Sequence, residues 1–158
     1  YYKDEVEDKD RIVTGWGASL SGIWQFAENT SLCFQGVYGK GISNYIQDIS
    51  GSGLDLVPSA TAEGKLKAFN AWGGYIGFSH NWSKVLTSNI MYSYARVLDR
   101  YGMPATSYKY AQYAAANLFW DFSEYGSCAI EYVFGRRNDF NKDYGNASRI
   151  NTMIQYRF

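Results

Sequence analysis

Ser148-Arg149-Ile150-Asn151-Thr152-Met153-Ile154-Gln155-Tyr156-Arg157-Phe158 is the stretch that decides the fold. Counting back by twos from Phe158 brings together Tyr156, Ile154, Thr152 and Ile150. The intervening positions are Arg157, Gln155, Met153, Asn151 and Arg149. A strand turns successive side chains to opposite faces, so one face of this segment is predicted to be apolar and the other polar and cationic. Its length is what a tilted strand needs to cross a bilayer. A strand that is apolar outside and wet inside is the unit of a transmembrane barrel. A half-buried strand closing a soluble sheet shows the same alternation, so the rest of the chain has to discriminate.

Composition narrows the choice. The chain has 158 residues, the size of one domain. Its 15 Lys+Arg and 15 Asp+Glu cancel, which implies no general attraction to nucleic acid. Hydrophobic residues make up 46%, yet no apolar run approaches the ~20 residues of a membrane helix. Hydropathy is blind to barrels, because only every second residue meets lipid. The 15 Tyr, 9 Phe and 5 Trp suit the aromatic girdles of such a barrel, and 16 Gly with 2 Pro suit tightly turned strands. The opening Tyr1-Tyr2-Lys3-Asp4-Glu5 lacks the apolar region of a signal peptide, so the chain reads as mature or as a piece of something longer.

Alternation continues upstream and predicts seven strands. They run over Arg11–Phe26, Ser31–Ser43, Lys65–Ser79, Val85–Val97, Tyr108–Phe122, Cys128–Arg137 and the terminal segment. Trp16, Leu20, Trp24, Phe34, Ile76, Leu118, Ile130, Tyr132, Ile154 and Tyr156 are expected to face lipid. Gln35, Asn89, Asn117, Glu131, Asn151 and Gln155 are expected to face a lumen. Short turns are predicted at Glu28–Thr30, His80–Ser83 and Ser123–Ser127. Longer loops are predicted at Gln47–Gly64, Asp99–Ser107 and Asn138–Ala147. Alternating short and long connections fit periplasmic turns and extracellular loops. Bacterial single-chain barrels have an even number of strands. The expectation is therefore an all-β, antiparallel transmembrane β-barrel fragment. Residues 1–10 would be an extracellular loop remnant and 11–158 the C-terminal part of a larger barrel, since unpaired sheet edges are not tolerated in lipid.

With the hairpins placed, several segments resemble a known family. They are Thr14-Gly15-Trp16-Gly17-Ala18-Ser19-Leu20-Ser21-Gly22, the run from Tyr38 to Ile46, and Ala71-Trp72-Gly73-Gly74-Tyr75. Further on come the run from Gln112 to Trp120, the run from Glu131 to Arg137, and Asn146-Ala147-Ser148-Arg149-Ile150. Their order and spacing resemble the C-terminal half of DcaP-like outer-membrane porins. The resemblance implies a sixteen-stranded, trimeric porin of a Gram-negative outer membrane, carrying small, preferentially anionic solutes such as dicarboxylates. The family's N-terminal strands have no counterpart here. The terminal Phe158, with Tyr156 before it, resembles the signature read by the barrel-assembly machinery.

Chemistry is sparse. His80 is the only histidine, and a solvated turn residue is the plainer reading. Ser79 and Ser83 adjoin it without a third partner, so no enzyme is expected. One His and two separated cysteines are too few for a metal site, and no cofactor is expected. Cys33 and Cys128 fall on opposite faces by parity and read as unpaired. The acidic run Asp4–Asp10 reads first as a solvated loop, with calcium binding as the sharper alternative. The informative set is the inward one. Arg11, Lys67, Arg137, Arg149 and Arg157 stand against Asp121 and Glu131, with Asn117 among the lumen contacts. An excess of fixed cations in a low-dielectric lumen concentrates anions. Arg137 and Arg149 are expected to face each other across the last loop and grip a carboxylate between their forks, or else to pair with acidic residues. Two rival readings are a plugged structural barrel, acting as anchor or adhesin, and a soluble lipocalin-like barrel with its apolar face inside.

Overall fold

A computed structural model of the chain describes residues 2–4, 9–59 and 65–158. Two short strands, β1 (Tyr2–Asp4) and β2 (Lys9–Arg11), pair with each other near the start. The main strands are β3 (Trp16–Ala27), β4 (Thr30–Lys40), β7 (Asn70–Asn81), β8 (Leu86–Val97), β9 (Tyr108–Asp121), β10 (Gly126–Asp139) and β11 (Tyr144–Tyr156). A small hairpin, β5 (Leu56–Pro58) with β6 (Leu66–Ala68), lies in the connection between β4 and β7. The main strands form one seven-stranded antiparallel meander in the order β11-β10-β9-β8-β7-β4-β3. The sheet is open, and β3 and β11 each have a single neighbour in it.

Parity holds across the sheet apart from bulges at strand ends, one of which turns Tyr108 to the odd side. One row runs Leu20, Gly36, Gly74, Tyr94, Gln112, Arg136, Asn146, so even-numbered residues share a face on every strand. Register shifts occur only at strand ends, between Gln25 and Ala27 and between Asn138 and Asp139. A one-residue slip would carry a strand's apolar set to the other side, and no main strand shows one. The ten expected lipid-facing residues lie on the even face, and Gln35, Asn89, Asn117, Glu131, Asn151 and Gln155 lie on the odd face. Cys33 is on the odd face and Cys128 on the even, both free. The even face is apolar and uncovered: Leu20 is 72% exposed and Ile150 67%. Trp24, Phe26, Phe78, Trp82, Trp120 and Phe122 gather at the short-turn end, while Trp16, Tyr38, Trp72, Tyr94 and Tyr110 gather at the other.

Several predicted boundaries differ. The first long strand begins at Trp16 rather than Arg11. Gly15 sits against the carbonyls of Lys40 and Gly41, where the chain joins the ladder. β4 stops at Lys40 rather than Ser43, because Gly41 adopts φ +68 and bends the chain across the sheet. The predicted strand from Lys65 is two elements, β6 and β7, separated by the buried Phe69. His80 and Asn81 continue β7, so the turn lies at 82–85.

The predicted loop over Asn138–Ala147 is mostly ladder. Asn138 pairs with Tyr144 and Gly135 with Ala147, leaving a turn at 140–143. That turn is built locally. Asn141 Oδ1 accepts the Asp143 N–H at 3.0 Å, Lys142 takes φ 74, and the Arg136 guanidinium covers the Tyr144 ring at 4.2 Å. The long connections are therefore 41–69 and 98–107. Of residues 1–10, Glu5–Asp8 and with them most of the acidic run lie outside the described residues.

Candidate functional site

The connection between β4 and β7 does not stand away from the sheet. It folds across the odd face. Two single 3-10 turns, Ser43–Tyr45 and Gln47–Ile49, place Ile42, Ile46 and Ile49 on one side. These pack with Leu54 and Phe69 on Ala71, Ala95, Val97 and Tyr108 of the sheet. Ile49 and Val97 are completely buried and Phe69 is 1% exposed. The wall is cut back to receive them: a Cβ on Gly17 or Gly73 would stand 3.0 Å from Ile42 or Ile46. Polar groups close the loop. Asn44 Oδ1 accepts the Gly51 N–H at 3.1 Å, the Phe69 N–H donates to the Asp55 carbonyl at 3.0 Å, and Asp99 Oδ2 accepts both Asn70 N–H and Nδ2 at 2.7 Å.

The sequence carried this signal in a form that reading Gln47–Gly64 as a loop missed. Ile42, Ile46, Ile49 and Leu54 are too apolar for a solvated loop, and the odd face opposite them is unusually small-sided. Tyr45, 83% exposed, projects from the loop, with Gln47 and Asp48 also on its surface. A cleft of about 550 Å³ separates this loop from the wall, bordered by Gln35, Tyr75, Ser93 and Tyr113.

Away from the loop, one row of the odd face is polar on all seven strands: Gln25, Ser31, Ser79, Asn89, Asn117, Glu131, Asn151. Four members form a hydrogen-bonded chain. Asn89 Nδ2 donates to Asn117 Oδ1 at 2.8 Å and Asn117 Nδ2 to Glu131 Oε2 at 3.4 Å. Asn151 Nδ2 donates to Glu131 Oε1 at 2.8 Å. Glu131 thus faces amides rather than a cation.

The predicted cations are not gathered in one place. For Arg11 only the backbone is described, paired with Tyr2 outside the main sheet. Lys67 is on the β5–β6 hairpin rather than the wall, its Nζ 5.3 Å from the Tyr101 ring centre. Arg137 and Arg149 share the odd face but do not face each other: Arg137 is opposite Gly145 and Arg149 opposite Val133. The shorter connection is the reason: the ladder runs on to Asn138 and Tyr144, so the hairpin closes over 140–143 and the register moves with it. Arg137 Nε is 2.9 Å from Asp139 Oδ1, and its guanidinium lies 5.6 Å from the Tyr108 ring centre. Arg149 is exposed and has no carboxylate partner among the described residues. Two cations that parity places on the other face, Arg96 and Arg136, were absent from the sequence expectation.

Among the described residues, His80 is not joined by Ser79 or Ser83 in a catalytic arrangement. His80 is on the even face, its Nδ1 2.8 Å from Thr30 Oγ1 and its ring edge-on to Trp82. Ser79 points to the opposite face, and Ser83 Oγ accepts the Val85 N–H. Among the described residues no group of acidic, Cys and His side chains is placed to hold a metal. No helix among them is long and apolar enough to cross a membrane, which says nothing of strands. Tyr156 continues the even face beside Tyr125, and Phe158 stands fully exposed beyond the ladder.

No protein-family model matches the sequence, and no curated protein matches it. Among solved structures, the crystal structure of the outer membrane channel DcaP of Acinetobacter baumannii is similar, with a TM-score of 0.76 at 19% identity. The match covers 98% of this chain and 43% of that one. The seven-stranded sheet therefore has the fold of part of a barrel, and this chain spans less than half the length of the channel it matches.

Proposed function

We propose that this chain forms part of the wall of an outer-membrane porin, a passive channel for small solutes. One observation carries the reading: a single unbroken parity over seven strands, with an uncovered apolar even face and a polar odd face that receives a folded loop. The main strands have 11 to 14 residues, enough to cross a bilayer at a tilt. An apolar face this large is unfavourable in water and favourable against lipid. The free edges of β3 and β11 pair with further strands of the full-length protein, because hydrocarbon leaves no water to satisfy them. The odd face is then the lumen. Its loop narrows the path, and the amide and hydroxyl row offers passing solutes hydrogen bonds in place of water. The fold likeness to a named outer-membrane channel supports the same reading. Single-channel recording of the full-length protein in planar bilayers tests it. Stepwise conductance is expected, and its absence in inserted protein would favour the anchor or adhesin reading.

We extend this reading to a homotrimer in a Gram-negative outer membrane, assembled through the barrel-assembly machinery and selective for small anions. Arg149 is the better selectivity residue of the pair, because Asp139 partly neutralises Arg137. Arg149→Ser should move the reversal potential toward cations more than Arg137→Ser does, and the difference should shrink as salt screens it beyond ~10 Å at 0.1 M. Equal shifts would mean that Asp139 leaves the Arg137 field intact. Phe158 touches little in the folded sheet, so its removal should lower outer-membrane insertion in cells while leaving the thermal stability of protein refolded in detergent unchanged. A matching loss of stability would make it a structural residue instead.

A further inference from the structure

The even face is not a uniform apolar surface. Gly36 and Gly74 are directly paired on β4 and β7, which removes two side chains from the middle of the sheet. The result is a groove of about 1050 Å³, walled by Leu20, Tyr38, Trp72, Ile76, Tyr92 and Tyr94 and almost wholly apolar. Trp72 and Tyr94 stack at 4.9 Å to form its rim toward the loops. Directly opposite Trp72, on that rim, is Arg96. Arg96 Nε is buried with no hydrogen-bond partner, and no carboxylate pairs with Arg96 among the described residues. Lys40 adds a second cation at the same end, opposite Trp16 and Asn70.

A guanidinium on a lipid-facing surface needs an anion or water to offset its charge. Here it stands among the aromatic side chains that mark a membrane interface, two strand positions, about 7 Å, from the groove floor. The phosphate of an anionic lipid satisfies both features together. Its oxygens match the Arg fork, and an acyl chain running from it lies over Gly36 and Gly74.

We infer that the even-face groove floored by Gly36 and Gly74 is a binding site for an anionic membrane lipid, its phosphate held by Arg96 with Lys40 beside it. The inference rests on the reading that this face meets the bilayer. The site is on the outside of the wall, so it is separate from the permeation path. Gly36 is the position at which to test it, since a Cβ there meets nothing within 4 Å and a side chain can start into the groove from it. Gly74 is unsuitable, because its Cβ would stand 2.5 Å from the Gln35 carbonyl.

The test is native mass spectrometry of the full-length protein taken from nanodiscs of equal phosphatidylglycerol and phosphatidylcholine with matched acyl chains. Wild type should retain phosphatidylglycerol several-fold over phosphatidylcholine. Arg96→Gln should retain the two equally, and Gly36→Leu should retain neither. Equal retention by wild type, or an unchanged preference in Arg96→Gln, overturns the site. Gly36→Leu altering the subunit number while lipid retention stays intact also overturns it, by showing that a second copy of the chain occupies the groove. Planar-bilayer recording separates the two readings. Wild type that conducts without headgroup preference loses the lipid site alone, whereas wild type that neither inserts nor conducts loses the channel reading with it.

Discussion

Replacing Phe69 and Ile49 with alanine should free the loop between β4 and β7 and raise the single-channel conductance of the full-length protein. These side chains anchor the loop to the odd face, and both are essentially fully buried. Truncating a buried Phe costs about 3–5 kcal/mol, and truncating a buried Ile about 2–5 kcal/mol. The backbone N–H···O=C frame of the seven strands does not depend on either residue, so the loss falls on loop attachment rather than on the sheet. An open loop leaves a wider path and a noisier current, because its position now fluctuates between seated and released states. The control is Tyr45→Ala. Tyr45 is exposed on the same loop and contributes nothing to its core, so any change it causes reports the path rather than the anchoring. Conductance that stays at the wild-type value in the Phe69→Ala, Ile49→Ala double variant would place the loop outside the path.

Period-two alternation made the sheet legible because each main strand has an apolar side and a polar side, so local pattern and global fold agree. It located the face of the expected residues that lie on the main strands, and it found the short turns at 28–29 and 122–125 closely. It failed where the determinant was not alternation. Asn138–Ala147 is rich in turn-forming residues, yet those residues continue the ladder, since cross-strand pairing and the Arg136–Tyr144 contact outweigh local turn preference. The loop was misread for the opposite reason. It was expected only as a long loop over Gln47–Gly64, while the isoleucines that seat it are spaced by 3-10 turns and match no strand period. The site suffered most from this. Arg137 and Arg149 were placed face to face across a loop that is shorter than its sequence suggests, and Lys67 was assigned to a wall strand when it sits on a separate hairpin. Parity states which side a charge is on, and register states which charges meet. Only the first can be read from one sequence.

Ile90→Arg and Met91→Arg should therefore differ sharply, although the two residues are adjacent. Ile90 is on the even face, 60% exposed, between Phe78 and Ala116 in the middle of the sheet. Met91 is on the odd face, bordering the cleft beneath the loop. If the even face meets hydrocarbon, an arginine at Ile90 costs about 2–4 kcal/mol near the bilayer midplane, and its neighbours there supply no carboxylate. The yield of inserted, heat-resistant full-length protein should fall strongly. Met91→Arg puts the same charge in the wet lumen, where solvation is retained, so insertion should match wild type and the reversal potential should move toward anions. Thermal unfolding in detergent together with membrane fractionation reads both outcomes. A soluble barrel with its apolar face inside predicts a different pattern: Ile90→Arg would then break a water-excluded core and yield unfolded protein in the soluble fraction, with no membrane-inserted form for either variant. Equal insertion of the two would remove the lipid assignment of the even face altogether, since parity leaves these neighbours no other way to be alike.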